Sequence, residues 1–285
     1  MRISPTTPIT VVATHEDKMH ALCPLGTPTD RPQRSIDMVL PTRRVAVVGN
    51  GSFYVGPALC RALATRGHDL VVGDPTDQLV AELEALGVDV QAVPGVSDLA
   101  RPESATRLAE AALARFGRID AAVAFSGVIV TGRFVNSTLD DLRSVLHTCV
   151  EAPYHFLKAM VTPMIDRGDG QILVITSAAG ARPTPGAPLY SAARAGATML
   201  ARNVADEVAR HGVQVNSVGT NFMDFPEFLA ASGAADPDKR AKIEAQVPMG
   251  RLGTMEEFAA FSMPFIDGTS RFTTGQFVAY AGGWA

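Results

Sequence analysis

Short runs of branched apolar residues recur from Arg44 onward at roughly 25–30-residue intervals, separated by stretches with helical spacing. The runs are apolar throughout rather than alternately, as strands buried on both faces of a parallel sheet are. That pattern leaves one economical arrangement: a parallel sheet with crossover helices on both faces. The expected strands are Val45–Val48, Asp69–Val72, Val88–Val93, Ala121–Phe125, Ile172–Ile175, Val213–Val218 and a last one around Gln276–Ala279. The expected helices are Val55–Arg66, Gln78–Leu86, Ser104–Phe116, Asp140–Asp166 with a bend at Pro153, Tyr190–His211 and Met255–Ile266. Asn221–Pro248 reads as an insertion holding short helices.

Composition narrows the class. Of 285 residues 47% are hydrophobic and 19% charged, enough for one full core. A net charge of −4 without a basic stripe argues against a nucleic-acid partner. No apolar run reaches the roughly eighteen residues that a membrane span needs. Cys23, Cys60 and Cys149 are irregularly spaced, so neither a disulfide framework nor a metal site is expected, and a cytoplasmic location is the default. Residues 1–40 lie outside the alternation and read as a flexible or mis-started extension; 41–285 form the domain.

The polar chemistry is concentrated in Gly170–Arg202. Ser177 follows the buried run Ile172–Ile175, and Tyr190 opens an Ala-rich helix that also carries Arg194. Tyr190 and Arg194 are one helical turn apart and share a face. A permanent cation about 4 Å from the phenol, at an effective dielectric of about 20, favours the phenolate by roughly 4 kcal/mol. Ser177 can then hold an alcohol oxygen while Tyr190 removes its proton.

Strand, Thr176, Ser177, twelve residues, then Tyr190-x3-basic resembles the short-chain dehydrogenase/reductase superfamily. The resemblance implies a single Rossmann-like, doubly wound domain with a seven-stranded, mostly parallel sheet. Those reductases carry Tyr-x3-Lys, and Arg194 replaces the Lys here, a change that is not conservative at such a site. Their first loop reads Thr-Gly-x3-Gly-x-Gly so that the backbone can approach a pyrophosphate; this chain has Asn50 and Tyr54 at two of those glycines, aligned on Gly56. Ala124-Phe125-Ser126-Gly127 stands for Asn-Asn-Ala-Gly, Cys149 for the catalytic Asn, and Thr220-Asn221 for Pro-Gly, while Asp74 sits where an acidic residue would hold an adenine ribose.

An aromatic residue in the first loop combined with Ser-x12-Tyr-x3-Arg is similar to the halohydrin dehalogenases, cofactor-independent relatives of the reductases. The similarity covers about Arg44 to Ala285, including Met249–Gly253 and Gly282-Gly283-Trp284, and departs at Gly49, where that family usually has Thr. It implies a carbon-halide lyase without cofactor: Ser177, Tyr190 and Arg194 convert a vicinal halohydrin to an epoxide, releasing halide and a proton. Run backwards, the same site opens epoxides with azide, cyanide or nitrite. It further implies a halide pocket from Tyr54, Phe125, Thr220, Asn221, Phe222 and Met223, and a homotetramer. The alternative is an atypical NAD(P)H-dependent short-chain oxidoreductase; a third reading is a binding protein that kept the fold.

Overall fold

The computed structural model describes residues 44–125 and 127–285. The expected extension at residues 1–40 lies outside them. Seven strands form one sheet in the order β3-β2-β1-β4-β5-β6-β7: β1 Arg44–Val48, β2 His68–Gly73, β3 Val90–Val93, β4 Ala121–Phe125, β5 Gly170–Ser177, β6 Val213–Thr220 and β7 Phe277–Tyr280. Every neighbouring pair is parallel. The chain is therefore a Rossmann-like doubly wound domain, and strand order reverses between β1 and β4, where such sheets open a crevice at their carboxyl ends.

Burial explains the apolar runs. Ile172, Leu173, Val174 and Ile175 of β5 are buried, and alternate residues enter two different cores. Fully burying each such side chain contributes about 1.5–3 kcal/mol. On one face lie α1 (Gly56–Thr65), α2 (Asp77–Ala85) and α9 (Met255–Ser262); on the other α3 (Pro102–Phe116), α5 (Ala152–Arg167) and α6 (Pro188–Val208). The small buried residues Ala197, Ala201 and Ala205 let α6 approach the sheet closely.

The helix expected at Asp140–Asp166 is continuous but irregular. It begins as α4 (Leu139–Leu146), closed at its start by a reciprocal Thr138–Asp141 capping box, and widens into a π turn at His147–Glu151 before α5. Pro153 supplies the reason. It has no N–H for the carbonyl of Cys149, and its ring displaces that carbonyl. In the insertion, Pro226–Ser232 forms α7 and Pro237–Glu244 forms α8.

The amino ends of the strands are stapled by a buried ionic cluster. The Asp120 carboxylate accepts from the Val45 amide at 2.7 Å and from Arg118 and Arg167, and Arg44 donates to the Gln171 side chain. Burial pushes the Asp120 carboxyl up, but these donors hold it below the usual carboxylate range. The strands' opposite ends are left free to carry the site.

Candidate active site

Strand register brings the first two site residues together. β5 and β6 run in parallel to their ends, so Ser177 lies directly opposite Thr220. The Ser177 hydroxyl donates to the Thr220 carbonyl at 3.3 Å and accepts from the Ala179 amide at 3.2 Å. The donated bond is long enough for the hydroxyl to turn toward a substrate oxygen.

Tyr190 and Arg194 come from the start of α6, where Pro188 occupies the first turn, a position that needs no N–H. Both are buried, and the guanidinium carbon of Arg194 lies 5.0 Å from the Tyr190 ring centroid. The cation is held from behind by glycine. A Cβ on Gly127 (φ 129°) would fall on Nη2 of Arg194, within 2.7 Å of its Cζ and 3.0 Å of the Cys149 sulfur. Cys149, which stands where the reductases carry their catalytic Asn, is buried in the π turn beside that cradle. Gly180 likewise lets the loop after β5 lie against α6, where a Cβ would come within 2.9 Å of the Arg194 carbonyl carbon.

All nine residues singled out from the sequence, Tyr54, Phe125, Ser177, Tyr190, Arg194, Thr220, Asn221, Phe222 and Met223, line one cavity of about 340 Å³. Phe53, Ile129, Thr184, Pro185, Phe225, Phe228 and Trp284 also contribute to its wall, and the sequence had not marked them as site residues. Phe225 and Phe228 are three apart at the start of α7, a helical spacing that could have flagged them. Apolar side chains dominate the wall, and Arg194 is the single guanidinium or ammonium group in it among the described residues.

Tyr54 lines this cavity. Its hydroxyl donates to Thr220 Oγ1 at 2.7 Å, and its ring meets Phe225 edge-on with centroids 4.7 Å apart and Phe125 at 6.0 Å. Burial pushes its phenol well above the ordinary tyrosine range, outweighing the Thr220 bond, so it is a neutral donor. Its φ is 52°, and Phe222 in the facing loop has φ 54°, a left-handed backbone that costs roughly 1–2 kcal/mol for residues carrying a Cβ. Such strain is concentrated at functional sites.

Three features bear on a dinucleotide. Gly49, Gly51 and Gly56 are all used for close backbone packing; a Cβ at Gly56, for example, would collide with the Asn50 carbonyl. The first turn of α1 offers few donors, because the Gly56 amide bonds Phe53, residue 57 is proline and the Leu59 amide bonds Val55. Asp74 (φ 45°) spends its carboxylate on the Gly95 and Val96 amides at 2.5 and 2.8 Å.

Comparison with known proteins bears on the reaction. The family model described as Enoyl-(Acyl carrier protein) reductase matches residues 55–285. The 3-oxoacyl-[acyl-carrier-protein] reductase of Synechocystis sp. is 32% identical over 251 residues, 85% of this chain and 97% of that protein. Its counterpart FabG from Escherichia coli is 28% identical over 242 residues, covering 84% and 96%. The solved structure "ElxO with NADP Bound" superposes with a TM-score of 0.76 at 18% identity, covering 85% of this chain and 98% of that one.

These findings overturn the expectation of a halohydrin dehalogenase. Relatives matched over nearly their whole length are reductases and dehydrogenases, which overturns the carbon-halide lyase, the conversion of halohydrins to epoxides, the reverse ring opening by small anions and the cofactor-independent class. Halohydrin and halide partners fall with them. The expectation rested on two local departures, Tyr54 and Arg194, and the similarity over the rest of the chain outweighs them.

Proposed function

The chain belongs to the family described as Enoyl-(Acyl carrier protein) reductase, within the short-chain dehydrogenase/reductase superfamily, and we propose that it is an oxidoreductase interconverting a carbonyl and an alcohol on a small, largely apolar substrate. The observation that carries the reading is the meeting of Ser177, Tyr190 and Arg194 in one apolar cavity at the carboxyl ends of β5 and β6. In the reducing direction Ser177 and Tyr190 hold the carbonyl oxygen by hydrogen bonds, and Tyr190 delivers the proton as charge develops there. In the oxidising direction Tyr190 removes the hydroxyl proton. Arg194, against the ring, offsets the charge left on the phenolate. Phe125, Phe222 and Met223 exclude water from the substrate, with Thr220 and Asn221 as the polar groups of the same wall.

Such a reaction needs a hydride carrier, and the structurally similar ElxO has NADP bound. The residues present do not fit a dinucleotide in this arrangement. Tyr54 stands in the first loop tied to Thr220, the first turn of α1 offers few amides, and the Asp74 carboxylate is committed to the Gly95 and Val96 amides. No step is therefore assigned to it; its entry requires Tyr54 to leave Thr220. The reading also takes residues 41–285 as the working domain, a cytoplasmic location, and a homotetramer built on the exposed apolar residues Leu139, Leu146, Tyr154 and Met199 of α4, α5 and α6. Among the described residues no helix is long and apolar enough to cross a membrane.

The test is NADPH-dependent reduction of a panel of small ketones, with wild type, Tyr190→Phe and Tyr54→Gly. Turnover that disappears in Tyr190→Phe supports the reading. Absence of turnover in both wild type and Tyr54→Gly, with the folds intact, rejects it.

A further inference from the structure

Trp284, a single tryptophan in 285 residues, stands in the wall of the cavity although it lies far along the chain from Ser177 and Tyr190. Its position is built by several independent contacts. The chain turns sharply after β7, with the Trp284 amide donating to the Ala281 carbonyl at 3.0 Å. Gly282 and Gly283 both have positive φ, 57° and 87°, and lie so close to Val247 and Pro248 that a Cβ on Gly283 would come within 3.1 Å of the proline ring. The indole then meets the Phe222 ring edge-on, centroids 5.7 Å apart at 82°.

Arg182 fastens this turn to the loop between the two hydroxyl-bearing site residues. Its Nη1 donates to the Trp284 carbonyl at 2.6 Å, and its guanidinium carbon lies 4.6 Å from the indole centroid. A bond and a cation–π contact from one side chain fix both the backbone and the ring. The same loop carries Thr184 and Pro185, which line the cavity together with Phe222 and Trp284. The part of the wall where the indole packs on Phe222 is thus held in place by Arg182 from the neighbouring loop.

We infer that Trp284 is a specificity-determining residue of this cavity and that Arg182 is its positioning residue, the pair forming a clasp that sets the largest substrate the site admits. The substrate class rests on the oxidoreductase reading above; the clasp itself does not. With Arg182 shortened, the indole loses its cation and its carbonyl tie and swings outward. With the indole removed, the cavity is widened at Phe222.

Trp284 reports on itself. Tryptophan emission and acrylamide quenching are measured for wild type, Arg182→Ala and Arg182→Lys, and calorimetry gives the affinity ratio for acetophenone against 4-phenylacetophenone in these proteins and in Trp284→Ala. Arg182→Ala is expected to shift emission to the red and at least double quenching, with Arg182→Lys between it and wild type. Both Arg182→Ala and Trp284→Ala should move the affinity ratio about tenfold toward the larger ketone, the scale on which a pocket discriminates small apolar groups. Emission and quenching unchanged in Arg182→Ala, or a ratio unchanged in Trp284→Ala, overturns the inference. Failure of every variant to bind either ketone removes the substrate cavity, and with it both the specificity role and the oxidoreductase reading. Turnover absent but affinities shifted as stated leaves the clasp standing and rejects the oxidoreductase alone.

Discussion

The Tyr54 hydroxyl donates to Thr220 Oγ1 at 2.7 Å, joining the loop after β1 to the end of β6 across 166 positions of chain. The Thr220 carbonyl in turn accepts from Ser177, so a single residue touches both the Tyr54 phenol in the cavity wall and the hydroxyl that meets substrate. Release of Tyr54 opens space in the cavity and frees Thr220 at once.

Tyr54→Gly should therefore tighten NADPH binding by at least about tenfold, or 1.4 kcal/mol, and Thr220→Val should act in the same direction by cutting the bond while keeping the shape. Isothermal calorimetry checks both. Equal affinities in all three proteins would mean that the ring is no obstacle.

Gly127→Ala should displace the Arg194 guanidinium, whose Nη2 the added methyl would clash with. A misplaced catalytic group costs on the order of 100-fold in rate. The expected outcome is a kcat lowered by about that factor with KM little changed and circular dichroism that matches wild type. An unaltered kcat would separate Arg194 from the chemistry.

The architecture was legible because parallel strands buried on both faces leave an unbroken apolar signature, as in Ile172–Ile175. Ser177, Tyr190 and Arg194 were legible because strand end and helix start are local features with fixed spacing. The Tyr54–Thr220 bond was not, since side-chain contact between residues so far apart follows from strand order rather than from any local pattern. Trp284 reached the cavity through a turn without periodicity, and Phe228 through a seven-residue helix in the insertion, where a single three-residue spacing is a weak signal. The reaction was misread for a related reason: Tyr54 and Arg194 are two positions, and two positions weigh less than similarity across 85% of the chain.

Acid should weaken the fold through His68, at the amino end of β2. Burial, with the neighbouring Arg44 cation acting in the same sense and Asp267 against it, pushes its imidazole from 6.5 down to about 4. Between those values the unfolded chain binds a proton that the folded chain refuses. Stability is thus full above pH 6.5 and falls as pH drops toward 4, by about 3 kcal/mol in all. Urea unfolding across this range should show the slope, and His68→Phe should flatten it; an unchanged slope in the variant would assign it to other groups.

Gly56→Ala should lower stability by about 1–3 kcal/mol, because the added methyl meets backbone at Asn50, which cannot turn aside as a side chain would. A thermal melt measures it, and an undiminished melting temperature would show that the first loop can move.

The central claim is proton transfer by Tyr190 in a carbonyl–alcohol oxidoreductase, and the most direct measurement is ketone-dependent consumption of NADPH by wild type, Tyr54→Gly and Tyr190→Phe. The account predicts turnover in the first two, faster at low NADPH when Tyr54 is gone, and a loss of at least about 1,000-fold in Tyr190→Phe, the scale of general acid–base catalysis at one group. Full activity in Tyr190→Phe, or no consumption by wild type and Tyr54→Gly alike, would contradict it.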